Sequence, residues 1–289
     1  MALDTYALVT LQNLKDWLGI SVTTYDTILE NLINATGYRI ERYIGRQIMA
    51  RDRIEFIDPD GSNTISLPQY PVNSIRYVGY GVQTVLTVSA ASGSTDASAT
   101  VQVQDDQITT VRNTAAGATN TTVSVTFASQ PLTSGMATAL SAVAGFTASS
   151  ATTIPSRYLH PVGPIDVTDS PANLTGPVST ASGYRVEAAT GLLHLPRFWR
   201  DDWAYDEGDT VGFGCTEQIV VVDYNAGYTT CPYDISQACL EIASAAYRAR
   251  FKDANVDSET LGDYSYTSAV RDAANDLLDA LLGSWREVR

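Results

Sequence analysis

The chain has 289 residues, 44% of them hydrophobic and 17% charged, which is enough apolar content for one large core or two ordinary ones and too much for a disordered chain. Eighteen Lys and Arg against 32 Asp and Glu leave a net charge of −14. That balance excludes a surface built to grip phosphates by counterion release, though not a nucleic acid passing nearby.

Three cysteines, Cys215, Cys231 and Cys239, lack Cys-x-x-Cys spacing and cannot close a disulfide framework. They read as small buried thiols in a reducing compartment. The opening, MALDTYALVTLQNLKDW, carries acid early and lacks an apolar signal core, and no window approaches ~18 consecutive apolar residues. The expectation is a soluble, cytosolically made protein with no membrane span.

In chain order, Thr10 is placed to cap a short helix whose face is Leu11, Leu14, Trp17 and Leu18 and which Gly19 ends. A second helix is predicted from Thr23 or Thr24 to Ile44, with Tyr25, Ile28, Leu29, Leu32, Ile33, Ile40, Tyr43 and Ile44 in a 3.6-residue rhythm and Gly45 as its stop. From Arg51 the period becomes two, and RIEFID, TISLP and SIRYVGYG read as strands. Asp58-Pro59-Asp60-Gly61 reads as a hairpin turn; as a calcium loop it fails on ligand spacing.

Between Thr84 and Gly183 Ser, Thr, Ala and Gly dominate, and no Asp, Glu, Lys or Arg occurs from Asn113 through Ser156. The runs QTVLTVSA, ATVQVQ, QITTVR and TTVSVTFA suit a small β-sandwich or barrel. SGMATALSAVAGF fits a short helix, and PVGPIDVTDSPANLTGPVSTASG an extended return path. Strand chemistry resumes with YRVEAATGLLHL, pivoting on Ala189-Thr190-Gly191, then DTVGFG and EQIVVVDYNAG. The last third is helical. Pro232 is placed at the first position of a helix with a small-residue face of Ile235, Ala238, Cys239, Ile242, Ala245, Ala246 and Ala249. A final helix is predicted from about Thr267 to Gly283. The fold class expected is α+β: a helical bundle from both chain ends packed on an antiparallel β-sheet, with residues 1–83 and 184–289 as the core and 84–183 as an inserted, small all-β module.

Chemistry-bearing motifs are scarce. The cluster Asp201, Asp202, Asp206, Glu207 and Asp209 could attract a hard cation, yet five acids in a turn-rich loop also describe a solvated surface, so no metal ligand is assigned. His160 and His194 lie in no His-x-x-x-His or His-x-Glu pattern. Gly79-Tyr80-Gly81 and Gly212-Phe213-Gly214 lack the third glycine and the helix of a dinucleotide loop. There is no Gly-x-Ser-x-Gly elbow and no phosphate loop. No enzymatic activity, catalytic residue or cofactor is expected.

The ordered set LVTLQNLKDWLGI, ATGYRIERYIGRQI, RIEFIDPDGSNTISLPQYPVNSI, YRVEAATGLLHL, VVVDYNAGYTTCPYDISQACLEIASAAY and DSETLGDYSYT resembles the head–tail connector (adaptor, or head-completion) proteins of tailed bacteriophages. It covers about residues 8–83 and 184–282, leaving the Ser/Thr-rich segment aside. The resemblance implies a structural virion protein at the neck, assembled in the host bacterial cytoplasm. It implies a homo-oligomeric ring, dodecameric in the family, beneath the portal protein. Such a ring extends the DNA channel and offers a platform to the tail or the next neck protein. The segment Gly283–Arg289 would reach the portal through Trp285, Arg286 and Arg289. The acids Asp201, Asp202, Asp206, Glu207 and Asp209 are candidates to line a channel that attracts double-stranded DNA only weakly. Two alternatives stay open: another neck, tail-completion or β-rich tail protein, and a metal-dependent hydrolase using the Asp201–Asp209 loop.

Overall fold

The computed structural model describes residues 2–58, 64–91, 96–114, 120–180, 183–194, 220–250, 258–261, 264–267 and 273–285. Thr10 caps α1 (Leu11–Leu18): its backbone is extended, and its hydroxyl oxygen accepts from the Asn13 N–H at 3.1 Å. Gly19, at φ 69°, lets the chain leave. Helix α2 runs Asp26–Ile44 and stops at Gly45, starting two residues later than predicted because the Asp26 N–H closes a turn on the Thr23 carbonyl. Its buried stripe is Leu29, Ile33, Thr36, Ile40 and Ile44. Trp17 and Ile28, expected on the packing faces, are exposed.

Strands β1 (Arg51–Ile57), β2 (Thr64–Ser66) and β3 (Val72–Tyr80) follow the period-two stretches. Of the Asp58–Gly61 turn, only Asp58 lies within the described residues. The Ser/Thr-rich segment then forms β4 (Gln83–Ala90), β5 (Asp96–Val103), β6 (Gln107–Thr114), β7 (Thr121–Thr126), α3 (Thr133–Ser141), β8 (Phe146–Ser150), a 3₁₀ turn (Ser156–Tyr158), β9 (Val162–Asp166), β10 (Ala172–Gly176) and β11 (Ser179–Thr180). The supposed return path is thus three strands that pair back onto the body: β9 on β5, β10 on β4 and β11 on β3. Two antiparallel sheets result, in the orders β10-β4-β8 and β7-β6-β5-β9. They share one core of Val85, Leu86, Val88, Val101, Ile108, Phe146 and Leu174, to which α3 adds Met136 and Leu140.

The remaining elements are β12 (Arg185–Glu187), β13 (Leu192–His194), β14 (Val220–Ala226), α4 (Tyr233–Ala249), β15 (Ser258–Leu261), β16 (Tyr264–Thr267), α5 (Ala273–Leu282) and a 3₁₀ turn (Gly283–Trp285). The predicted hairpin on Ala189-Thr190-Gly191 forms as β12–β13 and takes β2 as its third strand. Thr267 ends a strand instead of opening a helix, because β15 and β16 pair as a hairpin where only a break was expected. Pro232 is the cap of α4 and Tyr233 its first residue. The buried stripe of α4 is Ile235, Ala238, Cys239, Ile242, Ala243 and Tyr247; Ala245 and Ala246 face outward. Small size had suggested a face that the i, i+4 geometry rotates away.

The chain is therefore an α+β protein in which both ends meet. Leu14 of α1, Leu29, Ile33, Ile40 and Ile44 of α2, Ile235, Cys239 and Ile242 of α4, and Leu278 and Leu282 of α5 occupy one core. Each such Leu or Ile contributes about 1.5–3 kcal/mol by leaving water. Tyr43 of α2 also donates a hydrogen bond to Asp279 of α5, closing the circuit at the surface.

Candidate functional site

Strand β14 lies inside the main sheet and supplies four residues to that sheet's core. It runs antiparallel between β1 and β3 in the sheet β1-β14-β3-β11, and only Asn225 of its seven residues is not fully buried. A near-continuous apolar run is what a strand covered on both faces requires. Val220, Val222, Tyr224 and Ala226 point into a core shared with Ile65, Leu67, Val72, Val78 and Leu193. The opposite face carries Val221, Asp223 and Asn225, in register with Phe56, Ile54 and Asp52 of β1.

Asp223 is wholly inaccessible and has charged partners from two directions. Arg76 of β3 donates Nε and Nη2 to Asp223 Oδ1 at 2.8 and 2.6 Å, and its Nη1 reaches Asp52 at 2.7 Å. From the Ser/Thr-rich body, Arg157 Nη2 sits 2.9 Å from Asp223 Oδ2, and the Tyr158 hydroxyl donates to the same oxygen at 3.0 Å. Tyr158 also stacks flat on Tyr77, with ring centroids 4.3 Å apart. Gly79 makes room for that stack: a Cβ there would lie 2.4 Å from the Tyr77 ring. This explains the first glycine of Gly79-Tyr80-Gly81 without any nucleotide. Hydrogen bonds from Asn225 and Arg76 hold the Asp52 carboxyl below its usual range.

His160 completes this joint. It is buried edge-on against Phe56, its Nδ1 lies 3.2 Å from Thr175 Oγ1, and its Nε2 has no partner. Burial pushes its pKa down to about 4, so the ring is neutral at pH 7. Ser156 Oγ, three residues before Leu159, is also buried without a partner.

The second joint begins two residues past Asp223. In Asn225-Ala226-Gly227-Tyr228 the strand leaves the sheet, with Gly227 at φ 113°. Any Cβ at Gly227 would stand 2.7 Å from the Met49 carbonyl oxygen, so glycine is required twice over. The Gly227 N–H donates to the Pro71 carbonyl, the Tyr228 N–H to that of Ile48, and the Ala50 N–H to that of Tyr228. Asn73 Nδ2 binds both Asn225 Oδ1 and the Gly227 carbonyl at 2.9 Å. Trp285, at the end of the helical bundle, packs edge-on against Tyr228 with centroids 6.0 Å apart. The Arg46 guanidinium lies 4.0 Å from the Tyr70 ring and 5.9 Å from the Trp285 ring.

Of the residues singled out in the sequence, Trp285 is half-buried on its own bundle. Arg286, Arg289, Asp201, Asp202, Asp206, Glu207, Asp209 and Cys215 lie outside the described residues. Burial raises the Cys231 and Cys239 thiols to about 12, so both stay protonated. Among the described residues no three His, Cys, Asp or Glu side chains converge to hold a metal ion, and no helix is long and apolar enough to cross a membrane. Sequence reading missed Asp223, Arg157 and Tyr158 as a unit. A lone acid inside the run VVVDYNA was the available signal, since a charge there must be paired.

Among the described residues the arrangement is one of joints, with Asp223 held by Arg76, Arg157 and Tyr158 and Gly227 held against Met49. Within five residues, Asp223 of β14 ties the sheet to the Ser/Thr-rich body and Gly227, just past the strand's end, ties it to the helical bundle. Comparison with known proteins adds the decisive observation. Residues 7–139 match the family model of head completion proteins. The resemblance read from the ordered sequence pieces therefore stands, over just under half of the chain. The match runs continuously through β3 and β4 to α3, and so does not mark Thr84 as a boundary. No curated protein matches. Two solved chains are weakly similar. One is described as the neck of an empty GTA particle computed with C6 symmetry (14% identity, TM-score 0.42, 98% of this chain and 91% of that one). The other comes from the virion of a native gene transfer agent particle (14% identity, TM-score 0.40, 100% and 94%).

Proposed function

We propose that the protein is a non-enzymatic structural component of a phage-like particle, acting at the junction of head and tail. The observation that carries this reading is the head completion match over residues 7–139. The rigid union of both chain ends with one sheet supports it, because a subunit repeated around a collar must transmit load without hinging. In this reading copies assemble as a ring, dodecameric as the resemblance implies, beneath the portal. The ring continues the DNA channel and receives the tail or the next neck protein.

Residues 1–83 and 184–289 form the connector core, and 84–183 an inserted module that points outward. Trp285 anchors the C-terminal segment to the bundle at Tyr228, and Arg286 and Arg289 extend from that anchor as portal contacts. The acids Asp201, Asp202, Asp206, Glu207 and Asp209 face the channel, where like charge keeps DNA from adhering. The test is docking on purified portal-bearing particles. A chain stopped at Leu282 is expected to lose at least tenfold in binding relative to full length, and undiminished docking would remove the C-terminal segment from this role. Absence of the protein from the necks of mature particles would overturn the reading as a whole.

A further inference from the structure

One short segment, Ser156–His160, brings three side chains of the Ser/Thr-rich body onto the main sheet. Arg157 and Tyr158 reach Asp223 of β14, Tyr158 stacks on Tyr77 of β3, and His160 meets Phe56 of β1 edge-on with centroids 5.7 Å apart. The segment is stiff. The Leu159 N–H donates to the Ser156 carbonyl and the His160 N–H to that of Thr175 in β10, and Pro161 follows directly. Displacing one of these side chains therefore disturbs the other two.

The same segment holds two buried polar atoms without partners, Ser156 Oγ and His160 Nε2. Such groups carry a free-energy cost that contact with water removes. A charged imidazole has a proton on both nitrogens. Nδ1 has Thr175 Oγ1 beside it at 3.2 Å, whereas a proton on Nε2 finds no partner in place.

The charge would also lack a counter-ion. On the sheet face that carries Phe56 the carboxylates are Asp52 and Asp223; Arg76 holds both, and Arg157 holds Asp223 as well. Arg157 itself adds positive charge three residues from His160. Strand β10 has no charged residue. Arg51, Arg53 and Glu55 alternate onto the other face of β1, and Asp58, just past that strand, is exposed. Burial is what lowers the ring's affinity for a proton.

We propose that His160 is a proton-operated latch: a proton on its ring drives Ser156–His160 off β1 and loosens the body from the sheet while each core stays folded. In the open form the charged ring and Ser156 Oγ are hydrated. The closed form refuses the proton, so the latch is shut at neutral pH and acid opens it.

The test is hydrogen exchange of the full-length protein at pH 7 and pH 5, with labelling times scaled to the intrinsic chemical rate, beside His160→Gln. A ring that titrates at the ordinary 6.5 when open and at about 4 when closed raises the opening constant about twentyfold between those conditions. The expected result is about twentyfold faster exchange at the Leu159 and His160 amides, with β4, β14 and α4 unchanged and no such acceleration in the variant. Acceleration that is equal in the variant, shared by β4, β14 and α4, or missing from wild type overturns the proposal. Wild type supplies a second reading that needs no His160 variant. His160 and His194 are its two histidines, so the ring signals of 13C-labelled histidine are assigned by His194→Gln. The His160 ring is expected to stay neutral at pH 6, and titration at the ordinary 6.5 would overturn the latch.

Discussion

Asp223 shows how much one residue can decide. A carboxylate shut away from water is tolerable only while its partners remain, and removing them leaves an uncompensated charge in a low-dielectric setting. Arg76 and Arg157 are themselves partly exposed and can return to water. Replacing both by Ala is therefore expected to lower the unfolding free energy by about 3–5 kcal/mol, and Asp223→Asn to cost less than that double change. Urea unfolding of the two variants checks the order. His160 supplies a pH dependence with a definite sign. Its folded pKa of about 4 lies below the ordinary 6.5, so between those values the unfolded chain binds a proton that the folded chain refuses. Stability from this group is complete above pH 6.5 and falls as pH drops through the window to 4, by up to about 3 kcal/mol. His160→Gln should flatten that limb, read as the wild-type-minus-variant difference in urea midpoint from pH 7 to 4.

At the scale of elements, glycines separate into those that serve the path and those that only cost. Gly227→Ala must place a methyl group against Met49 and hold a positive φ; a loss of about 2–4 kcal/mol is expected, seen as a lowered thermal midpoint. Gly37, inside α2, would direct a Cβ to ordinary contact with Leu8 at 3.8 Å. Gly37→Ala should raise stability by about 0.5–1 kcal/mol in the same measurement. The elements legible in advance were those with strong local signals. Thr10 and Gly19 bounded α1, Gly45 ended α2, and period-two runs marked β1 to β7. Elements whose cause lies elsewhere in the chain were not legible. β9 and β10 are strands because β5 and β4 offer them partners, and the outward turn of Ala245 and Ala246 follows from where α2 and α5 stand.

At the scale of the molecule, the chain builds three cores. All the buried apolar residues of the second core fall between Val85 and Leu174, so whether 84–183 folds alone is a question for experiment. Expressed alone, residues 84–183 should show cooperative thermal unfolding and a β-rich circular dichroism spectrum; a non-cooperative profile would argue that the Asp223 joint is needed for its fold. The bundle, by contrast, cannot form from either end alone. Its core takes residues from α1 and α2 and, more than 190 positions later, from α4 and α5.

By itself the sequence determined the α+β class, the helices at both ends, the Ser/Thr-rich β body and the resemblance to head completion proteins. Caps, periodicity and turn residues act within a few positions of one another, and the order of motifs is visible in one dimension. Only the tertiary structure decided that β14 lies between β1 and β3, that Asp223 finds Arg76 and Arg157, and that Trp285 settles on Tyr228. Those outcomes depend on burial and on partners far apart in sequence, 173 residues in the case of Asn225 and Asp52, and no local pattern encodes which distant group will fill a given space.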